Sequence, residues 1–362
     1  MIIHLVCAAR PNFMKVAPLY HALKREPWAR PVIVHTGQHY DANMSDAFFG
    51  DLRLPAPDIH LGVGSGSHAE QTAAVMVSYE KVLSEARPDL VVVVGDVNST
   101  MAATITAAKI GIKVAHLEAG LRSRDRAMPE EINRLVTDVL ADMLWTPSPD
   151  ASGNLASEGI PPEKISFVGN IMIDSLEMLR EKIEAQAAYE AFGLSPGGYG
   201  VATFHRPSNV DNPVNLTKLC RALADISAAT PLVFPVHPRT LRNMADCGAL
   251  ATMDGAKGIF LAEPQGYVRF MSLVMGCSFV VTDSGGVQEE TSYLGIPCIT
   301  ARKNTERPIT VTQGTNRLCG LDGLVEAGAA ALAEGTRAPA RIELWDGKTA
   351  GRIVDILRDM PA

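Results

Sequence analysis

Short runs that are apolar on both faces, separated by amphipathic stretches of helical period, recur almost from one end of this chain to the other. Residues 2–7, 32–36, 90–95, 114–117 and 143–146 are such runs, mostly β-branched. Strands without a polar face must be covered on both sides, the condition of a parallel sheet flanked by helices. Helical patterns fill the intervals, at about 14–25, 68–86, 99–110 and 129–140. The alternation predicts an α/β fold with right-handed crossovers. It restarts after a helical stretch at 171–190 and the loop Ser195-Pro196-Gly197-Gly198, with runs at 199–204, 232–236, 258–261, 279–282 and 298–300. A chain of 362 residues accommodates two doubly wound domains, here 1–170 and 171–344. The last helical stretch, within about 345–362, is a candidate to pack back on the first domain.

Several classes of function are excluded early. Lys and Arg number 33 against 40 Asp and Glu, a net charge of −7, and no basic block occurs, so the footprint of a nucleic-acid binder is missing. No apolar stretch reaches the ~18–20 residues of a membrane span, and no membrane partner is expected. Residues 2–7 are short and lack a basic leader, so they read as a first strand rather than a signal peptide. Cys7, Cys220, Cys247, Cys277, Cys298 and Cys319 are scattered without a C-x-x-C. That spacing speaks against a zinc site or disulfide framework and for buried thiols in a reducing cytoplasm. The first strand–helix turn, Cys7-Ala8-Ala9-Arg10-Pro11, lacks G-x-G-x-x-G, so a conventional bound dinucleotide is not expected either.

Ligands of open parallel sheets bind beyond the carboxyl ends of the strands, which makes a cleft between two such sheets the default site. Polar residues do collect there. Arg10 and Lys15 follow the first strand, Gly95-Asp96 the run at 90–95, and Glu118-Ala119-Gly120-Leu121-Arg122 the run at 114–117. Pro129-Glu130-Glu131 opens the next helix; in the second half come His205-Arg206, His237-Pro238-Arg239 and Asp283-Ser284-Gly285-Gly286. Each has a structural reading too. Asp96 can cap a helix, Glu130 and Glu131 suit a helix dipole, and His237 can be a packed turn residue. His4 and His116 read as packed in or beside strands, and His21, His60 and His68 as surface. Together, however, Asp96, Glu118 and one of Glu130 and Glu131 follow strands of one sheet. Carboxylates crowded together push one another's pKa upward, towards proton transfer near neutral pH. Two glycines at a helix start let backbone N–H groups approach a phosphate. The pattern describes acid/base chemistry on a nucleotide-linked substrate.

These motifs, in order over roughly residues 5–320, resemble the non-hydrolysing UDP-N-acetylglucosamine 2-epimerase family. The resemblance rests on Arg10-Pro11 with Lys15, Gly95-Asp96, the run from His116 to Arg122, and Pro129-Glu130-Glu131-Ile132-Asn133-Arg134. It continues through Gly169-Asn170, His205-Arg206, Pro235-Val236-His237-Pro238, Pro264-Gln265, the run from Asp283 to Glu290, and Thr305-Glu306-Arg307-Pro308. It implies a GT-B-type fold of two Rossmann-like domains around a cleft, a homodimer, and a place in nucleotide-sugar supply for polysaccharide biosynthesis. It also implies inversion at C2 of UDP-GlcNAc to give UDP-ManNAc, without NAD or a catalytic metal, through elimination of UDP to a 2-acetamidoglucal and its re-addition. By motif match Asp96, Glu118, Glu130 and His205 are the catalytic residues. Arg10, Lys15, Ser284, Gly285, Gly286 and Arg307 then serve the sugar and diphosphate, Glu290 the ribose, and Gln265 and Phe270 the uracil. Gln38, Arg206 and His237 resemble parts of an activator site that some bacterial members use for a second UDP-GlcNAc.

The sequence departs from the family pattern at Ala8, where glycine is usual, and at Asn12, where Glu or Gln is common. It departs again at Pro207-Ser208, where many members carry Arg and Glu. These changes leave room for another UDP-sugar, such as a 2,3-diacetamido uronate. A GT-B glycosyltransferase is the alternative of a different class, because one fold serves several reactions. Three acids in the first domain separate the two, since an acceptor transfer has no use for protons on opposite faces of C2. A hydrolytic relative, in which water intercepts the glycal, would differ in releasing ManNAc and UDP.

Overall fold

A computed structural model describes residues 1–37, 49–335 and 338–360; Gln38 lies outside them. The chain divides into two compact units, Met1–Met178 with Glu343–Ala362, and Leu179–Ile342. The boundary falls inside the helix Ile171–Ala185.

The first unit contains β1 (Ile2–Cys7), β2 (Arg30–His35), β3 (Ile59–His60), β4 (Leu90–Val94), β5 (Lys113–Leu117), β6 (Met143–Thr146) and β7 (Ile165–Phe167). They form one parallel sheet in the order β3-β2-β1-β4-β5-β6-β7. The chain moves one way across the sheet from β1 to β3 and the other way from β3 to β7. Right-handed crossovers therefore put the helix Arg10–Lys24 on one face and the helices His68–Glu85, Asn98–Lys109 and Pro129–Leu140 on the other. β4 is Leu-Val-Val-Val-Val and buried throughout, which is why it reads as an unbroken apolar run. The C-terminal helix Thr349–Arg358 packs against Arg10–Lys24. Asp174 holds its start, accepting the N–H groups of Thr349 (3.1 Å) and Ala350 (2.8 Å).

The second unit repeats the design with β8 (Gly200–Thr203), β9 (Leu232–Pro235), β10 (Ile259–Ala262), β11 (Phe279–Thr282), β12 (Cys298–Ala301) and β13 (Asn316–Cys319). Its order is β10-β9-β8-β11-β12-β13, again parallel. Each sheet reverses its winding once, between β1 and β4 and between β8 and β11, and the crevice at such a reversal is where doubly wound sheets bind ligands. Among the described residues no helix is long and apolar enough to cross a membrane. The expected helix at 171–190 ends at Ala185 and is followed by a short 3₁₀ turn, Ala188–Phe192.

Candidate active site

In the first unit the chemistry lies where β1, β4 and β5 end. Gly95 closes β4 at φ +69°, and its N–H donates to the Leu117 carbonyl at 3.1 Å, so the ends of β4 and β5 meet. A Cβ on Gly95 would come within 3.4 Å of Lys15 Nζ and 3.5 Å of a Glu118 carboxylate oxygen. Against that turn Lys15 and Glu118 form an ion pair, both nearly buried. Glu118 occupies the left-handed region at φ +71°, a conformation costing a non-glycine residue about 1–3 kcal/mol and typical of functional sites. Asn12 ties the neighbouring helix start to β4. Its Oδ1 accepts the Ala9 N–H at 2.9 Å and its Nδ2 donates to the Val94 carbonyl at 2.9 Å. Arg10 is the first residue of that helix and half-buried.

Asp96 is held from the helix Pro129–Leu140. Arg134 donates to one of its carboxylate oxygens through Nε (3.0 Å) and Nη2 (2.7 Å), while Asn133 Nδ2 donates to its backbone carbonyl at 2.8 Å. The same guanidinium pairs with Glu131 at 2.7 Å. Glu131 also accepts the Ser123 N–H and hydroxyl and the Arg124 N–H, each at 2.9 Å. Burial pushes its carboxyl up, but these donors and Arg134 outweigh it and hold the group below the ordinary carboxylate range. Glu131 is thus committed to the scaffold, whereas Glu130 is half-buried and has no side-chain hydrogen bond or ion pair among the described residues. Asp96 and Glu118 are not simply crowded against one another, as the sequence suggested. Each has its own cation.

The second unit organises its polar residues around Asp283, which is fully buried at the end of β11. Its carboxylate accepts the backbone N–H groups of His205 (3.1 Å) and Arg206 (3.0 Å) and the Asn209 amide (3.0 Å), and pairs with His205 Nδ1 at 3.1 Å. Burial raises its pKa, yet His205, Asn209 and Arg206 together bring it below the usual value. The exposed His205 ring is thereby set at the end of β8. Ser284, Gly285 and Gly286 open the helix Gly285–Leu294; the Ser284 N–H is taken by Thr282 Oγ1 at 2.9 Å. A Cβ on Gly285 would lie 2.6 Å from Arg307 Nη1, whereas one on Gly286 would meet nothing within 4 Å. Arg307 is bridged to Glu289 (2.9 Å) and Glu306 (2.6 Å).

Glu290, on the same helix, accepts the Tyr267 O–H at 2.6 Å. Burial pushes its carboxyl up to about 7; the Tyr267 hydrogen bond opposes this and neighbouring Glu289 adds to it. Tyr267 opens the helix Tyr267–Gly276, which carries the half-buried Phe270, and Gln265 precedes it, donating to the Glu263 carbonyl at 2.6 Å. Of the proposed activator residues, Arg206 donates to the Asp283 carbonyl at 3.1 Å, and His237 caps the helix Pro238–Asp246, its Nδ1 accepting the Arg239 N–H at 3.2 Å. The sequence reading did not single out Asn133, Arg134, Tyr267 or Asp283 for what they do. From sequence the stripe Glu131, Arg134 and Asp138 reads as the solvent face of an amphipathic helix, and only the structure shows it buried.

Two doubly wound units in one chain, each with polar side chains at the carboxyl ends of its strands, define the GT-B class. Within it the chain belongs to the UDP-N-acetylglucosamine 2-epimerase family, whose profile matches residues 21–358. It is 39% identical over 364 residues to the UDP-N-acetylglucosamine 2-epimerase of Methanocaldococcus jannaschii, covering 99% of each chain. The crystal structure of the UDP-GlcNAc 2-epimerase from that organism, in complex with UDP-GlcNAc and UDP, superposes with a TM-score of 0.91 at 38% identity over 99% of both chains. A UDP-2,3-diacetamido-2,3-dideoxy-D-glucuronate 2-epimerase from Pseudomonas aeruginosa is 38% identical over 358 residues, 97% of this chain and 98% of that one.

Proposed function

We propose that this protein interconverts UDP-GlcNAc and UDP-ManNAc by inversion at C2. Carrying the proposal are the carboxylates that follow β4 and β5: Asp96 gripped by Arg134, Glu118 paired with Lys15, and Glu130, in the first turn of the helix after β5, without a side-chain partner among the described residues. In the reaction as proposed a base takes the C2 proton and the C2–H electron pair forms the C1–C2 double bond. The C1–O bond breaks, and its electrons leave on the β-phosphate of UDP. UDP then re-adds to C1 as a proton is delivered to the opposite face of C2. Atoms and electrons balance with no external oxidant. Asp96, Glu118 and Glu130 share the proton transfers, and His205 acts beside the diphosphate or as a further acid/base. Charge growing on the departing phosphate calls for cations and N–H donors fixed in advance. Arg10, His205, Arg307 and the N–H groups of Gly285 and Gly286 are assigned that task, Lys15 the sugar, Glu290 the ribose hydroxyls, and Gln265 and Phe270 the uracil.

The test is incubation with UDP-GlcNAc in D₂O followed by proton NMR. Loss of the C2 proton signal with appearance of UDP-ManNAc is the expected result. Free UDP with ManNAc would instead indicate a hydrolytic relative. Failure to turn over UDP-GlcNAc alongside turnover of the 2,3-diacetamido uronate would move the substrate to that of the Pseudomonas relative.

We also infer a homodimer formed through the helix Pro129–Leu140. Its buried residues include Glu131, Asn133, Arg134, Thr137 and Asp138, while Ile132, Val139 and Leu140 are exposed, so its usual polarity is inverted. Val77 on the helix His68–Glu85 is 57% exposed on the same side of the sheet. The outer stripe of Pro129–Leu140 is uncharged, so a second copy presenting the same stripe about a two-fold axis covers it without burying an unpaired charge. Three helices of 12–18 residues, at 1.5 Å rise and ~9 Å spacing, present a face of roughly 500 Å² before relief is counted, approaching the ~800 Å² per partner of a stable interface.

A further inference from the structure

We infer that His116, paired with Asp138, is a positioning residue that sets the two carboxylate-bearing strand ends, Asp96 and Glu118, relative to one another. The inference rests on the proton-transfer roles proposed above for those two acids. His116 lies on β5 and is fully buried, but its surroundings are not those of an apolar packing residue. Nε2 is 2.8 Å from the Gly95 carbonyl oxygen, and a carbonyl only accepts, so Nε2 donates. Nδ1 is 2.6 Å from Asp138 Oδ1. The other oxygen of Asp138 accepts the Gly120 N–H at 3.1 Å and is bridged by Arg122 at 2.7 Å. With the Arg122 guanidinium and an amide aimed at it, and its carboxyl held below the usual range, Asp138 is a carboxylate and can only accept. Nδ1 therefore donates as well, and the ring is held at both ends.

What it holds is specific. One hydrogen bond ends on the residue immediately before Asp96. Through Asp138 the other reaches the N–H two residues after Glu118, closing the turn in which Glu118 adopts its left-handed conformation. Asp138 lies one helical turn beyond Arg134, whose guanidinium grips the Asp96 side chain, and both are buried on the helix Pro129–Leu140. A single helix thus acts as a splint, fastening Asp96 by its side chain and both strand ends by their backbones. Arg122 is itself doubly bonded to Glu158, at 2.9 and 2.7 Å, so Asp138 is also fixed from the residue that ends the helix Pro149–Ser157. An apolar side chain of equal volume would fill the space at position 116 and fasten nothing. Displacing a reacting group by about 1 Å can cost ~10²-fold in rate.

The experiment compares wild type, His116→Phe and His116→Gln, the last able to return one N–H to the Gly95 carbonyl. His116→Phe should lower kcat on UDP-GlcNAc by ~10²-fold or more. Its affinity for UDP should stay within about twofold, because the residues assigned to UDP lie mainly in the other unit. His116→Gln should recover kcat to within about tenfold of wild type. Amide hydrogen exchange over residues 95–98 and 117–121 should quicken in His116→Phe, and over 95–98 it should stay near wild type in His116→Gln. A His116→Phe enzyme with normal kcat, or a His116→Gln enzyme as impaired as His116→Phe, overturns the proposal. Should His116→Phe not fold, exchange in His116→Gln decides: lost protection over 95–98 refutes it. Wild type inactive on UDP-GlcNAc would refute the substrate reading alone, since the exchange comparison needs no turnover.

Discussion

Replacing Glu290 by Gln should make the second unit more stable above neutral pH while weakening its proposed grip on UDP. Glu290 is buried on the helix Gly285–Leu294 and accepts the Tyr267 hydroxyl at 2.6 Å. Burial, with Glu289 beside it, outweighs that hydrogen bond and lifts the carboxyl from 4.5 to about 7. The folded protein therefore binds this proton more tightly than the unfolded chain. The resulting stability is fully present below about pH 4.5 and is lost as pH rises through about 7. At about 1.4 kcal/mol per tenfold in proton affinity, the loss by pH 8 is roughly 3 kcal/mol. Glutamine carries no charge at any pH and still offers Tyr267 a carbonyl oxygen. Wild type and Glu290→Gln should thus melt together near pH 4–5. By pH 8.5 they should separate by roughly 6–12 °C, at 2–4 °C per kcal/mol for a unit of 150–250 residues. Scanning calorimetry across that range is the assay. A gap independent of pH, or a variant less stable than wild type at pH 8.5, would refute the reasoning. Calorimetric titration supplies the functional half: if Glu290 holds the ribose as proposed, losing that charge-assisted bond should weaken UDP by about 10- to 100-fold.

Three further outcomes are expected. Arg134→Met removes the clamp on Asp96 and leaves Glu131 with three neutral donors, so unfolding of the first unit should become easier by about 3 kcal/mol, the low end for a broken buried pair, and kcat should fall at least ~10²-fold; urea melts and NMR turnover check both. Glu118→Gln should keep its fold and UDP affinity yet lose at least ~10²-fold in turnover, and near-normal turnover would remove Glu118 from the mechanism. Val139→Asp places a charge on the uncharged outer stripe of Pro129–Leu140 and should shift the protein in analytical ultracentrifugation from about twice the 38.7 kDa chain mass to the chain mass itself; an unchanged mass would place the interface elsewhere.

Much of this was legible locally. β1 and β6, and the helix Pro129–Leu140, fall where their periodicity put them, and β4 differs from its run only by the turn residue Gly95. Three strands escaped notice: β3 has two residues, β7 three, and β13 carries the polar Asn316 and Arg317. None has an apolar run of its own; each is a strand because it pairs with a neighbour already in the sheet. The doublet Glu130-Glu131 shows the same limit at the site, because one side chain turns inward to Ser123, Arg124 and Arg134 and the other does not. His116 was read as a packed histidine, correctly as to burial. What it does depends on Asp138, 22 residues away, and on Gly95, 21 residues away in the turn that closes the adjacent strand.

The sequence by itself determined the alternation of strands and helices, the doubling of the sheet and the order of the motifs, because each is written within a window of 5–18 residues where side-chain periodicity acts. Only the tertiary structure decided which carboxylate meets which cation and which histidine becomes a hydrogen-bonded brace. Those choices turn on donors and acceptors brought within 3 Å by parallel crossovers, and in a sheet wound in both directions sequence distance carries no information about that approach.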